Sequence, residues 1–110
     1  MREKLPEVHI MLNTSDIKTG NTTATGYLLE NPGGEGHPNM IVVQCKKGYL
    51  MCGYLNMDAA EKFGDAAVLV SGAGFDEVLS NPIKGATSKA RALGITDGIT
   101  GQKAAEILNS

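Results

Sequence analysis

The sequence predicts a single α+β domain, and three observations support this fold class. The chain is 110 residues long, which suits one hydrophobic core and leaves little room for a second. Strand-like segments dominate its first half, whereas strands and short helical segments alternate in its second half. Residues that favour helix N-caps precede the helical segments, at Asn56, at Thr87 or Ser88, and at Thr100. We therefore expect a mixed β-sheet with a central hairpin and short helices packed on one face.

The first part of the chain is predicted to be β-structure. A strand over Val8–Leu12 is expected to end at the turn-rich segment Asn13–Asp16. Thr22–Leu29 is rich in Thr, Tyr and Leu and is predicted to be a second strand. Asn31–Pro38 contains two prolines and three glycines without an apolar residue, so it is predicted to be a loop.

Two apolar runs then form the clearest hairpin of the chain. They are predicted to be strands over Met40–Cys45 and Tyr49–Leu55, with a short turn at Lys46-Lys47-Gly48. Both runs are apolar at consecutive positions, as in Met40–Val43, so alternation cannot hide one face and expose the other. Strands with this pattern are normally covered on both faces. We expect helices to cover one face, and another layer or a second subunit to cover the other.

The second part of the chain is predicted to contain short helices. Asn56 caps a helix over Met57–Phe63 that buries Ala60 and Phe63 and ends at Gly64. The remaining predicted elements are, in order, a buried strand over Ala66–Val70, a helical turn over Phe75–Leu79 that stops at Asn81-Pro82, a short edge strand over Ile83–Ala86, a helix through Leu93 that ends at Gly94, and a helix over Gln102–Leu108 with an apolar stripe of Ala104, Ala105, Ile107 and Leu108.

The overall charge excludes several classes of partner. Ten basic and twelve acidic residues give a net charge of −2, so no strong field draws the chain to nucleic acid or to a membrane surface. No apolar run approaches the roughly 20 residues that span a bilayer. Met1–Leu5 is charged, and no signal-like apolar stretch follows it. We expect a cytoplasmic protein without a membrane or nucleic-acid partner.

The charges are distributed unevenly. Only four of the 22 charged residues lie between positions 19 and 57, a segment that contains the second strand, the loop and the central hairpin. A 110-residue chain has too little helix to cover both faces of such a sheet. The segment 19–57 is therefore predicted to be a subunit interface of a homo-oligomer.

The two cysteines, Cys45 and Cys52, flank the predicted hairpin turn. A three-residue turn places Cys45 opposite Tyr49 and puts the two thiols on opposite faces. A two-residue turn puts both on one face, with Cys52 opposite Val43 and Cys45 opposite Leu50. Neither register places the cysteines directly opposite each other, so we expect free thiols and no disulfide.

Cys52 is the candidate catalytic residue. A thiolate nucleophile or redox centre at Cys52 would need a lowered pKa from a base, a cation or a helix N-terminus. The alternative is a cysteine packed as a small hydrophobe. Gly53 would permit close approach of a ligand or another backbone, and the neighbouring Tyr54 and Asn56 are candidate ligand-binding residues.

A glycine pair marks a second candidate ligand-binding position, at Gly72 and Gly74. These residues follow a predicted strand and precede a helical turn, an arrangement that can hold phosphate on backbone N–H groups. The dinucleotide fingerprint requires a third glycine where this chain has Glu77. The alternative is a tight turn between packed elements. The histidines and cysteines lack the spacing of metal ligands, so neither a metal nor another cofactor is expected.

Three stretches of the second part carry a family resemblance. Lys47-Gly-Tyr-Leu-Met-Cys-Gly-Tyr-Leu-Asn56 is followed by Gly64-Asp-Ala-Ala67 and Gly72, and the chain closes with Leu93-Gly-Ile-Thr-Asp-Gly-Ile-Thr-Gly-Gln-Lys-Ala-Ala-Glu-Ile-Leu108. Together these stretches resemble the YunC-like family of bacterial and archaeal proteins, over residues 39–108 of a single domain spanning 1–110. Ser71-Gly-Ala-Gly-Phe75 departs from the family pattern by a second glycine.

The resemblance implies a domain of unknown function, with no activity or catalytic residue assigned. It also implies that the β-rich N-terminal region forms a tetramer. Two functions follow as hypotheses: an oligomeric module with a ligand-binding or structural role, and a small thiol-dependent enzyme that uses Cys52 at a subunit interface.

Overall fold

A computed structural model describes residues 12–110, which form a six-stranded sheet with four short helices. The elements are, in chain order, β1 Leu12–Thr19, β2 Thr22–Leu29, β3 Met40–Gln44, β4 Tyr49–Met51, α1 Met57–Phe63, β5 Ala67–Leu69, α2 Phe75–Ser80, β6 Gly85–Ala86, α3 Ser88–Ala92 and α4 Gly101–Leu108. The six strands lie side by side in the order of the chain. The predicted α+β class is confirmed.

One pair of neighbouring strands differs from the others in its relative direction. Neighbouring strands are antiparallel everywhere except at β4 and β5, which run parallel and are connected through α1. A parallel pair needs such a crossover because its strands cannot be joined by a tight turn. As a result, the loops that follow β4 and β5 meet at one edge of the sheet, and the segments that precede these strands meet at the opposite edge.

Most helices cover one face of the sheet, here called the helical face. Every second side chain of the central strands faces it and is buried, and these side chains form one core with apolar residues of α2, α3 and α4. This core includes Ile41, Val43, Leu50, Val68, Val78, Ala90, Ala104 and Leu108. The opposite face is here called the open face. On it α1 packs against β5, where Ala60 and Ala67 are buried.

The predicted helix caps are confirmed. Asn56 Oδ1 accepts a hydrogen bond from Ala59 N–H at 3.0 Å, and Gly64 ends α1 in the left-handed conformation with φ 77°. Thr87 rather than Ser88 caps α3, and Thr100 Oγ1 accepts from Lys103 N–H at 3.2 Å before α4. Within residues 12–110, no helix combines the length and apolar character needed to cross a membrane.

One prediction for the first part of the chain needs correction. Asn13–Asp16 is not a turn, because it lies inside β1 and pairs residue by residue with β2. Partner pairing outweighs the weak strand preference of these polar residues. Of the strand predicted over Val8–Leu12, only Leu12 lies in the described part of the chain, and it begins β1.

The central hairpin has the shorter of the two turns considered. Val43 lies opposite Leu50 and Gln44 opposite Tyr49, so Cys45 and Cys52 face the same side of the sheet. The pairing predicted for this turn, with Cys52 opposite Val43, is wrong by two residues. Cys52 instead donates its backbone N–H to Ile41 O at 3.2 Å. Both cysteines are free, as predicted, and both are buried.

Phe63 is the clearest error among the predicted core residues, since 75% of its surface is exposed while Ala60 of the same helix is buried. Residues three apart share a helix face, and this spacing suggested that both would be covered. However, β5 is the one strand of the described sheet with which α1 makes substantial contact. Only part of its apolar stripe therefore has a surface beneath it.

Candidate functional site

A cavity of about 330 Å³ opens where β4 and β5 end. The loop after β4, the loop after β5 and the segment before β3 form its walls, through Pro38, Asn39, Cys52, Gly53, Tyr54, Ser71 and Gly72. Because β4 and β5 are parallel, their carboxyl ends bring two loops together that are remote in sequence. Ligands of open α/β sheets commonly bind outside the carboxyl ends of the strands. We call this cavity the carboxyl-end pocket.

Cys52 lines this pocket but is largely packed, with 4% of its surface exposed. Its Sγ accepts a hydrogen bond from Ile41 N–H at 3.2 Å and donates one to Asn39 O at 3.7 Å. The second bond requires the protonated thiol. None of the described residues that line the pocket carries a charge, so the lining itself supplies no cation to stabilise a thiolate.

The second thiol lies outside the pocket lining. Cys45 is buried beside the hairpin turn, and burial raises its pKa to about 11. Desolvation has this effect because the thiolate is charged and the thiol is not. Cys45 is therefore a packed thiol at neutral pH.

Three of the five predicted site residues line the pocket, namely Cys52, Tyr54 and Gly72. Tyr54 stands at the rim, 42% exposed, and its hydroxyl donates a hydrogen bond to Pro38 O at 3.4 Å. Gly72 packs so tightly on α2 that a Cβ there would lie 2.8 Å from Val78 N. Glycine at this position is thus required by packing, whatever the pocket binds.

The other two predicted residues lie elsewhere. Asn56 is outside the pocket lining and caps α1. Gly74 is the N-cap residue of α2 and lines a separate shallow depression. The backbone N–H of Ala73, which a phosphate would use, already donates to Glu77 Oε1 at 2.7 Å. This carboxylate occupies the position of an anion at the turn.

Sequence reasoning missed the third wall of the pocket, which consists of Pro38 and Asn39. Asn39 Nδ2 donates to Ala73 O at 2.8 Å, and its Oδ1 accepts from Asn31 N–H at 3.1 Å. Asn39 therefore ties the glycine-rich loop to the turn after β5. No sequence spacing connects residues 39 and 73, because their proximity results from the position of β3 in the sheet.

A metal centre finds no support in the described part of the chain. Residues 12–110 contain no cluster of three or more His, Cys, Asp or Glu side chains suited to hold a metal ion.

The fold and the pocket define a small α+β domain with a cavity at the carboxyl ends of a parallel strand pair. Residues 51–108 match the model of a family described as "Domain of unknown function (DUF1805)", so the chain belongs to this family. This confirms the resemblance seen in the sequence.

A solved structure supports the fold over nearly the whole chain. The crystal structure of TA1206, a protein of unknown function from Thermoplasma acidophilum, superposes with a TM-score of 0.81 and is 28% identical. The match covers 94% of this chain and 99% of that chain. None of the curated proteins matches this chain.

Proposed function

We propose that the chain is a homo-oligomeric module that associates through the open face of its sheet and binds a small uncharged ligand in the carboxyl-end pocket. The observation that carries the proposal is a row of apolar side chains on the open face, which crosses β1–β4. The domain family has no assigned activity, so the proposal depends on this surface and on the pocket.

The strand register places a continuous row of apolar side chains on the open face. Leu12 pairs with Leu29, Leu29 with Met40, and Tyr27 with Val42, so all five share that face; Met51 extends the row opposite Val42. Leu12 is 60% and Tyr27 39% exposed, and the other members are half-buried. In the described chain α1 covers this face only at β5. Contiguous exposed apolar surface of this kind marks an interaction site.

A second copy of the chain is the partner that this face fits. Symmetric association pairs a surface with itself, which suits an apolar surface with few charges. Beyond the apolar row the face carries the uncharged Thr23, Thr25 and Gln44. Its charges on β1 are Asp16 and Lys18, one of each sign, which lie opposite Thr25 and Thr23. The family resemblance, which implies a tetramer formed by the β-rich region, agrees with this occupant.

Two matched variants test the location of the interface. Tyr27→Asp places a charge on the open face, whereas Leu93→Asp places one at an exposed apolar residue of similar exposure, 36%, beyond the end of α3. We expect size-exclusion chromatography to show smaller particles for Tyr27→Asp and an unchanged profile for Leu93→Asp. An unchanged profile for Tyr27→Asp, with folding verified by circular dichroism, would locate the interface elsewhere.

The ligand part of the proposal rests on the lining of the carboxyl-end pocket. Its walls combine apolar surface with the hydroxyls of Tyr54 and Ser71 and the thiol of Cys52. Pockets of this kind bind small molecules by apolar contact and a few oriented polar groups. The uncharged lining and the Glu77 carboxylate at the adjoining turn disfavour an anion. We expect neutral compounds to shift the NMR signals of Gly53 and Gly72, and an absence of such shifts across a neutral fragment library would contradict this part.

The position of Cys52 at the pocket favours a second candidate, a thiol-dependent enzyme. In that case native Cys52 reacts with iodoacetamide near neutral pH faster than Cys45, whose pKa of about 11 keeps it protonated. Peptide mass spectrometry of the native protein distinguishes the two sites, with the Cys52→Ser variant as control. Equal inertness of both thiols would eliminate the enzyme hypothesis and leave the binding module.

A further inference from the structure

A second cavity lies at the opposite edge of the sheet, where β4 and β5 begin. It has a volume of about 260 Å³, and we call it the amino-end pocket. Three lysines line it: Lys46 and Lys47 from the turn before β4, and Lys89 from α3. Asp65 is the single acidic residue in the lining, so the formal charge of these residues is positive. This contrasts with the uncharged carboxyl-end pocket and with the net charge of −2 of the chain.

The acidic residue of the amino-end pocket already accepts a hydrogen bond. Asp65 Oδ2 accepts a hydrogen bond from the hydroxyl of Tyr49 at 2.7 Å. Outside the lining, the carboxylate of Glu61 is engaged by Ser88, the neighbour of Lys89, through both the backbone N–H and the hydroxyl. Each of these nearby carboxylates therefore has an uncharged hydrogen-bond partner.

The backbone that carries two of the lysines is held in place by the C-terminal end of the chain. Lys46 N–H donates to Asn109 Oδ1 at 2.7 Å, and Lys47 N–H donates to Leu108 O at 2.8 Å. Asn109 is 4% exposed, and its Nδ2 donates to the hydroxyls of Thr19 and Thr22 at 2.9 Å each. The turn is thus fixed by two consecutive backbone bonds while its lysine side chains remain exposed. Such preorganisation lowers the entropy cost of binding a ligand.

We propose that the amino-end pocket binds a small phosphate-bearing anion through Lys46, Lys47 and Lys89. Ammonium groups bind phosphate oxygens by charge-assisted hydrogen bonds. Two segments that are more than 40 residues apart in sequence supply these groups to one concave surface. The site is separate from the carboxyl-end pocket and does not depend on the function proposed for it.

Inorganic pyrophosphate is the probe for this site. We expect calorimetric titration at constant ionic strength, set with sodium chloride, to show saturable binding by the wild-type chain. Lys89→Gln and Lys46→Gln should each weaken binding about tenfold, since a charged hydrogen bond is removed. Lys103→Gln on α4 removes the same charge outside the pocket and should bind as the wild type does.

Two results would overturn the proposal. One is heat that does not saturate, because it would indicate general screening of charge rather than a site. The other is equal affinity for Lys89→Gln, Lys46→Gln and the wild type. All four proteins are compared by thermal unfolding without pyrophosphate, and NMR shifts at Gly48 and Ala66 in the wild type give a second readout that does not depend on the variants.

Discussion

Among single residues, Thr87 makes an unusual number of hydrogen bonds for one small side chain. It is 1% exposed, and its hydroxyl donates to Asp65 O at 2.6 Å. The same oxygen accepts from the N–H groups of Ala67 at 3.0 Å and Ala90 at 3.3 Å. One side chain therefore caps α3, starts β5 and holds the segment between α1 and β5.

This predicts that Thr87→Val is strongly destabilising. Valine keeps the shape but leaves the buried Ala67 N–H without a partner, and we expect a loss of about 3 kcal/mol in the free energy of unfolding. Thr100→Val is the matched control, because within the described residues the Thr100 hydroxyl accepts only from Lys103 N–H; its loss should be about 1 kcal/mol. Urea denaturation measures both, and equal losses would show that Thr87 is no more than a helix cap.

Glu61 provides a pH-dependent link between α1 and α3. Hydrogen bonds from the Ser88 hydroxyl and, secondly, the Ser88 backbone N–H lower its pKa below the ordinary 4.5. Because the pKa is lower in the folded state, the link contributes its full stability above about pH 4.5 and loses it as the pH falls through the folded-state pKa. We expect Glu61→Gln to lower the Tm at pH 7, with a deficit that shrinks as the pH falls below the ordinary pKa of 4.5. A deficit that is independent of pH would contradict this role.

At the scale of secondary-structure elements, Gly48 and Gly53 of the central hairpin lie in different surroundings. A Cβ at Gly48 would lie 1.9 Å from Ala66 O, whereas a Cβ at Gly53 would meet nothing within 4 Å. Close approach of a ligand or another backbone was expected at Gly53. The close backbone contact occurs instead at Gly48, where the hairpin meets the chain that enters β5, while Gly53 lines the carboxyl-end pocket. The spacing of glycines in a sequence does not show which one faces a neighbouring backbone.

Alanine at each glycine therefore gives opposite results. We expect Gly48→Ala to destabilise the fold by about 3 kcal/mol, because the backbone must move to admit the methyl group. Gly53→Ala should be neutral or stabilising by up to about 1 kcal/mol, since it restricts the unfolded chain without a clash. Thermal and urea unfolding measure both changes, and a tolerated Gly48→Ala would disprove the close contact.

The first residues of three helices were predictable from the sequence, whereas the course of β1 was not. Asn56, Thr87 and Thr100 cap their helices through bonds to residues three positions away, and such local chemistry is visible in sequence. The polar residues 13–16 of β1 were predicted to be a turn because their strand conformation depends on pairing with β2. Non-local pairing leaves no comparable local signal.

For the whole molecule, the candidate site was predictable only in part. Cys52 was identified as a thiol beside a glycine, Tyr54 as its neighbour, and Gly72 because it follows a predicted strand; these three residues do line one pocket. Pro38 and Asn39 complete it through the position of β3 beside β4, which follows from the sheet order. The apolar pattern of the hairpin strands and the charge-poor segment 19–57 indicated an interface without identifying the face. The register places the exposed apolar row on the open face, which is therefore the face that we propose for association.

The molar mass of the wild-type chain in solution tests the proposed association most directly. Light scattering coupled to size-exclusion chromatography at low micromolar concentration measures it without a variant or a ligand. We predict at least twice the 11.5 kDa chain mass, with four copies implied by the family resemblance. A mass of one chain throughout the concentration range would contradict the claim that a second copy covers the open face.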